Sequence, residues 1–223
     1  MINTFLFDLD GTLIDSAPDL INTANKIYLK HNHKEISFQE GLSCSSNGIN
    51  AFLKKRFTQD EINKSSLFDE FVDIYKNNCY LNASLFPGFQ DILKDLKKKG
   101  FSIGIVTNKP RVFTDLILDH LGINSMFDIV LCPDDGFKPK PDNQMFLEVF
   151  DKLNVGRSQV IYVGDGERDI IAANATNIIS VFASYGYIDP SENTDIWGYD
   201  LLINTPADLT KLIDIFSLRN CLS

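Results

Sequence analysis

Cysteine is scarce in this chain. Four residues in 223, at Cys44, Cys79, Cys132 and Cys221, form no CxxC pair and lie at no zinc-finger spacing from a histidine. A disulfide framework and a structural zinc site are therefore excluded from the expected architecture. The thiols read as small apolar residues of a reduced, cytoplasmic protein. Long apolar runs are missing too: nowhere do about 18 apolar residues follow one another, so no membrane-spanning helix is expected. The first residues, MINTFLFDLD, lack a basic n-region and reach Asp8 before an apolar segment can form, so they do not read as a secretory signal. Positive charge is in deficit, with 21 Lys and Arg against 30 Asp and Glu and a net charge of −9. Such a field repels phosphate backbones and argues against nucleic acid as a partner. A small anionic substrate would need a local positive site, built from a metal ion or a few lysines. Internal repeats and low-complexity tracts are absent as well.

What is present has a globular balance, 44% hydrophobic and 23% charged, and enough length to bury a core without staples. Five short apolar or β-branched runs recur: Thr4 to Phe7, Phe101 to Val106, Asp128 to Leu131, Val160 to Val163, and Ile178 to Phe182. Near-continuous apolar runs suit strands covered on both faces. Helical stripes lie between them. Phe89 to Lys99 carries Ile92, Leu93 and Leu96 and stops at Gly100. Pro110 and Pro141 stand at first-turn positions of two further helices. Strand and helix alternating in this way predict an α/β fold, a Rossmann-like parallel sheet of five or more strands with right-handed crossovers. The stretch 16–85 breaks the rhythm, offering helical stripes such as Leu20, Ala24, Ile27 and Tyr28 and no convincing strand. It is too long for an ordinary strand-to-helix connection and reads as a helical insert. The expected division is a core of 1–15 and 86–223 with a helical unit of 16–85, assembled as a monomer or weak homodimer.

Ligands of open parallel sheets bind beyond the carboxyl ends of the strands, so the residues that follow each strand are the candidate site. The first strand ends in Asp8, Leu9, Asp10, Gly11 and Thr12, and the second in Thr107, Asn108 and Lys109. The third leads to Asp134, Asp135 and then Lys138-Pro139-Lys140-Pro141. The fourth ends in Gly164, Asp165 and Gly166, with Asp169 one turn on. Carboxylates gathered at one edge repel unless a divalent cation holds them, and hard oxygen ligands favour Mg2+. Asp8 and Asp10 are two apart and would share a face of a regular strand. The turn at Gly11 lets the second swing away, so that one carboxylate is free to attack phosphorus and the other to handle a proton. The Thr107 hydroxyl and the Lys138 ammonium would stabilise charge on the transferring phosphoryl group. Taken singly, each piece has a plain alternative: an acidic turn for Asp8–Asp10, a helix cap for Thr107–Asn108, a solvated loop lysine for Lys138, a turn and a first-turn helix acid for Asp165 and Asp169.

The set FDLDGTLID, IVTNK, KPKPD and VGDGERD, in this order over nearly the whole chain, resembles the haloacid dehalogenase superfamily of phosphohydrolases. DGTLIDSAPDL and the Tyr185-Gly186-Tyr187 stretch are most similar to its phosphoglycolate phosphatase group. The resemblance implies Asp8 as nucleophile, passing through an aspartyl-phosphate, and Asp10 as general acid and then base. It implies Thr107 and Asn108 as phosphate-binding residues, Lys138 as the charge-neutralising lysine and Lys140 as its solvent-facing neighbour. Asp8, the Asp10 carbonyl and Asp165 would hold Mg2+, with Asp169 behind them orienting a metal water or Lys138. The helical insert looks like the cap of this superfamily, and the substrate like a small phosphorylated metabolite. Within the cap, LSCSSNGINAFL follows the group's glycine-rich substrate loop only loosely, and Ser46, Asn47 and Gly48 are its candidate substrate contacts. Gly166 stands where Ser or Thr is more usual.

Two other functions share parts of this pattern. A sugar-phosphate mutase on the same scaffold carries a cap-entry histidine where this chain has Leu20. A non-enzymatic phosphoaspartate receiver lacks a helical insert. Lys54, Lys55 and Arg56 read as a solvated helix face, or as a draw for an anionic substrate. His31 and His33 carry no expected metal role, and Trp197 is expected to pack or lie at the surface.

Overall fold

Thr4, Phe5, Leu6 and Phe7 are all buried, because β1 (Thr4–Phe7) is the central strand of a six-stranded parallel sheet. The structure, a computed structural model, describes the backbone of residues 1–221 and side chains through Leu218, so the Cys221 side chain lies outside the described residues. β1 pairs on one side with β4 (Ser102–Val106), with Thr4 opposite Ser102, and on the other with β6 (Val160–Gly164), with Thr4 opposite Val160. β5 (Ile129–Leu131) lies beyond β4, and β7 (Ile179–Ala183) and β8 (Leu201–Ile203) lie beyond β6. The order β5-β4-β1-β6-β7-β8 reverses its winding direction about β1, which is where ligands of such sheets bind.

Successive side chains of β1 serve opposite layers. Phe5 and Phe7 stack edge-on against Phe101 and Phe89, at centroid distances of 5.1 and 5.7 Å. Leu6 faces the other way, into a cluster with Val106, Phe146 and Tyr162. Full burial of each such side chain contributes about 1.5–3 kcal/mol. The covering helices are α6 (Phe89–Lys98), α7 (Arg111–His120), α8 (Gln144–Leu153), α9 (Glu167–Thr176) and α10 (Asp208–Cys221).

The stretch between residues 16 and 85 folds as five consecutive helices: α1 (Ala17–Lys30), α2 (Phe38–Ser45), α3 (Gly48–Leu53), α4 (Gln59–Lys64) and α5 (Leu67–Lys76). The stripe Leu20, Ala24, Ile27 and Tyr28 is buried, as are Phe52, Leu53, Phe57, Leu67, Phe71 and Tyr75. Ser37 and Thr58 cap α2 and α4 through capping boxes with Glu40 and Glu61. The two ends of this stretch are tied together. β2 (Ile14–Asp15) pairs antiparallel with β3 (Ser84–Leu85), and the buried Asp19 carboxylate accepts the amides of Asn82 and Ala83 at 2.9 and 3.0 Å.

Several expectations shift. The helical stretch does contain a strand, β3, whose two residues are too few to show a period. β8 was not anticipated, because LLI is short and its middle residue, Leu202, is exposed. α8 starts three residues after Pro141, since residues 139–142 form a turn in which the Asp142 amide donates to the Pro139 carbonyl. Cys44, Cys79 and Cys132 are buried and unpaired. Trp197 is buried against Phe182 at 4.9 Å. No helix among the described residues is long and apolar enough to cross a membrane.

Candidate active site

The parallel register delivers the ends of β1, β4 and β6 to one edge of the sheet, and β5 leads through a loop to Lys138–Pro141 beside them. Asp8 is 5% exposed, Asp165 1% and Asp169 0%. These three carboxylates offer oxygens within 4.8 Å of one another. Lys140 stands among them: its Nζ lies 2.8 Å from Asp8 Oδ1, 2.7 Å from Asp169 Oδ1 and 2.8 Å from the Val106 carbonyl. Tyr162, fully buried on β6, completes its surroundings at 2.6 Å.

This reverses the expected order of the two lysines. Lys138, the candidate charge-neutralising and phosphate-binding residue, has a side chain 70% exposed and only Asp142 nearby, at 3.9 Å. Lys140, expected to face solvent, is 3% exposed and touches Asp8. The two lysines are alike in type and differ in placement, Lys140 lying within the turn of residues 139–142 and Lys138 ahead of it, so the motif alone does not select one. Asn108 makes the selection. Its Oδ1 accepts the Lys140 amide at 2.7 Å, and its Nδ2 donates to the Lys140 carbonyl at 2.9 Å. The side chain of Asn108, a candidate phosphate ligand, is thereby engaged in holding the Lys140 peptide. Asp169 faces Lys140, not Lys138.

Asp10 leaves the acid cluster, as the turn at Gly11 (φ +80°) allows. Its carboxylate meets Lys109 Nζ at 3.1 Å through both oxygens and also accepts the Ser16 hydroxyl. Lys109 is buried, and it donates to the Tyr75 hydroxyl of α5 at 2.8 Å. Thr107, 1% exposed, accepts the Lys109 amide at 3.1 Å, which leaves its hydroxyl proton available. Asp134 and Asp135 are drawn away from the site: both carboxylates hold Arg111, at the start of α7.

Asp165 is the member of the cluster without a cationic side chain bonded to it. It accepts the Tyr187 amide at 2.8 Å and the Thr12 hydroxyl at 3.3 Å. Burial pushes its carboxyl up to about 8, reinforced by the charges of Asp8 and Asp169. Burial also raises Asp8, against the opposing pull of Lys140. Asp169 ends below its usual range: burial works upward, but Lys140 and Arg168 overcome it. Two glycines bring the backbone against Asp165, since a Cβ on Gly11 would stand 2.1 Å from its Oδ2 and one on Gly186 2.2 Å from its Cβ. A buried, cation-poor carboxylate beside two others, with all donors oxygen, is what a hard divalent cation neutralises, so the residues present fit Mg2+. Asp10 offers this cluster no side-chain oxygen.

Above the cluster opens a cleft of about 360 Å³ between the strand ends and the five-helix stretch. Asp8, Asp10, Thr107 and Lys109 line its floor; Ser46 and Asn47 reach it from the turn between α2 and α3, and Gly48 from the first position of α3. Leu20 also lines it, as hydrocarbon where a mutase would present an imidazole. Lys54 and Lys55 are exposed outside the cleft, and Arg56 bonds the Lys34 and Glu35 carbonyls; the basic run lies in the turn that follows α3 rather than on a helix face. His31 and His33 pack edge-on against Phe57. Reasoning from the sequence missed the inward lysine, the Tyr75–Lys109 contact and the Tyr187 amide. The doubled lysine of KPKPD and the aromatic stripe of α5 were the only signals for the first two.

An acid cluster with a buried lysine at the switch point of a parallel sheet defines a class of α/β enzymes acting on anionic substrates. The profile of the family described as haloacid dehalogenase-like hydrolase matches residues 5–183, and the chain belongs to that family. It is 31% identical over 217 residues to an N-acetylmuramic acid 6-phosphate phosphatase of Pseudomonas putida, covering 96% of each chain. It is 36% identical over 205 residues to a phosphoglycolate phosphatase of Xanthomonas campestris pv. campestris, covering 92% of this chain and 93% of the relative. The crystal structure of a predicted phosphoglycolate phosphatase from Haemophilus somnus superposes with a TM-score of 0.83 at 27% identity, over 95% of this chain and 98% of that one.

Proposed function

We propose that the chain is a phosphoric monoester hydrolase, a Mg2+-dependent cytoplasmic phosphatase that releases phosphate from a small metabolite through an aspartyl-phosphate on Asp8. The observation that carries this reading is the division of labour within one short turn. Asp8 sits with Lys140 beside Asp165 and Asp169, while Asp10 is held apart by Lys109 at the cleft. The family and the phosphatases among its relatives support the same reaction class. Asp8 and Asp165, with Asp169 behind them, would hold Mg2+, which supplies positive charge beside the phosphoryl oxygens.

The Asp8 carboxylate attacks phosphorus, an Asp8–phosphorus bond forms, and the ester oxygen departs with the bonding pair and takes a proton from Asp10. A water then gives a proton back to Asp10 and attacks phosphorus, which frees phosphate and the Asp8 carboxylate. Lys140 positions Asp8 and offsets its charge, so that a phosphate dianion can approach; the Thr107 hydroxyl donates to a phosphoryl oxygen. Residues 16–85 act as a cap that keeps bulk water from the aspartyl-phosphate and presents Ser46, Asn47 and Gly48 to the leaving group.

The test is phosphate release from p-nitrophenyl phosphate and a panel of phosphometabolites, 2-phosphoglycolate among them, with Mg2+ and after chelation. Asp8→Asn should lower kcat by at least about a thousandfold with the fold intact, since an amide is no nucleophile. Retention of a tenth of wild-type turnover would overturn the assignment.

A further inference from the structure

Three cations surround the site, and the reaction above uses two. Lys140 is engaged with Asp8, Asp169 and the Val106 carbonyl, and Lys109 with Asp10 and Tyr75. The third, Arg168 in the first turn of α9, also lines the cleft. Its Nη2 donates to the Ser46 carbonyl of the α2–α3 turn, while its Nε is buried with no hydrogen-bond partner. A charged donor removed from water without an acceptor is unfavourable, and a single carbonyl oxygen satisfies only part of the Nε/Nη2 edge. A carboxylate presents two oxygens with the spacing of that edge. The Ser46 turn is held beside this edge independently of Arg168, because its hydroxyl is anchored to the Tyr187 carbonyl at 3.2 Å, so a carboxylate would share the edge with the Ser46 carbonyl.

The cleft between Arg168 and Asp8 is not shaped for an ion alone. Its walls include Ile49, Phe68, Pro110 and Phe113, and its volume of about 360 Å³ falls in the range that encloses a ring-bearing ligand. A phosphoryl group over Asp8 and a second anionic group at Arg168 would leave the body of the molecule against those apolar walls.

We infer that Arg168 is a specificity-determining residue whose guanidinium binds a carboxylate on the leaving group, so that this site takes phosphate esters of ring-sized hydroxy acids. The inference rests on the phosphatase reading of the same site. The probes are N-acetylmuramic acid 6-phosphate and N-acetylglucosamine 6-phosphate, which differ by one lactyl ether and its carboxylate, with p-nitrophenyl phosphate as reporter of the chemistry. Wild-type protein should favour the acid by at least tenfold in kcat/KM. Arg168→Met should lower that preference at least tenfold, chiefly through KM, and Arg168→Lys, which keeps the charge but loses the fork, should restore part of it. A wild-type preference within threefold of unity overturns the inference without any variant. So does an Arg168→Met loss that is equal for both sugar phosphates and for the aryl ester, which would assign the guanidinium to the phosphoryl group. Absence of p-nitrophenyl phosphate hydrolysis in Mg2+ removes the phosphatase reading and this inference with it; hydrolysis without an acid preference removes this inference alone.

Discussion

The two walls of the cleft are built differently. On the strand side, the central cation is over-determined: Lys140 meets two carboxylates, a carbonyl and a phenol, and its own peptide is clasped at both ends by Asn108. On the helical side, polar groups facing the cleft are held locally or singly. The Asn47 amide donates to the Ser43 carbonyl within its own turn, and Gly48 carries no side chain. Tyr75 and Ser46 are the exceptions, reaching across to Lys109 and to Tyr187 and Arg168. Chemistry that needs fixed geometry is thus placed on a parallel sheet, whose register determines four strand ends together. The helical wall hangs on a stretch whose two ends are tied together by a two-residue strand pair and by Asp19. A family can vary the second wall without disturbing the first.

The contrast is sharpest between the two lysines of one loop. Lys140→Met should lower kcat by about 100-fold or more, because the charge beside Asp8 is lost. It should also destabilise the fold by about 3–5 kcal/mol, as Asp8 and Asp169 are left buried without their cation. Lys138→Met, in contrast, should change kcat by less than threefold and stability by no more than about 0.5 kcal/mol. Steady-state kinetics and urea unfolding on the two variants check this; equal losses would erase the distinction between them.

A smaller effect is expected where the two walls meet. Tyr75→Phe removes the acceptor that Lys109 uses from the helical side, and Lys109→Met removes the partner of Asp10. Each should lower kcat by about tenfold for alkyl phosphates and less for p-nitrophenyl phosphate, whose departing oxygen needs little protonation. The ratio of the two rates is the readout, and an equal loss for both esters would assign the pair a purely packing role. A further effect is on the strand side and depends on pH. Asp165 has a folded value raised to about 8 from an ordinary value near 4. Between these values the native state binds more protons than the unfolded chain, so stability falls as pH rises. In chelator the Tm should therefore decline from about pH 5 to pH 8, and saturating Mg2+ should flatten the slope. A chelated protein whose Tm rises over that window would contradict the buried, cation-poor setting of Asp165.

Much of the strand-side wall is legible in the sequence. The apolar runs at Thr4–Phe7 and Val160–Val163 are strands because both their faces are covered, and the acids that follow them converge because parallel strands end at one edge. The strand-end positions of Asp8, Asp10, Thr107, Asp165 and Asp169 follow from this reasoning. β8 was not, since three residues with an exposed centre carry no periodic signal, and neither was the two-residue pairing of β2 with β3.

Covalent spacing by itself determined the order of strands and helices, the residues that stand at each strand end, and the separation of Asp8 from Asp10 by a glycine turn. Tertiary structure decided which lysine enters, through an Asn108 that lies 32 residues away, and which residue accompanies Asp10, through a Lys109 that lies 99 residues away. It also decided that Arg168 faces the helical turn at Ser46, 122 residues distant. The reason is physical. The direction a chain takes within an element follows from neighbours in sequence, whereas the side on which a long charged side chain is buried follows from the partners that compensate its desolvation, and those partners are brought near only by the fold.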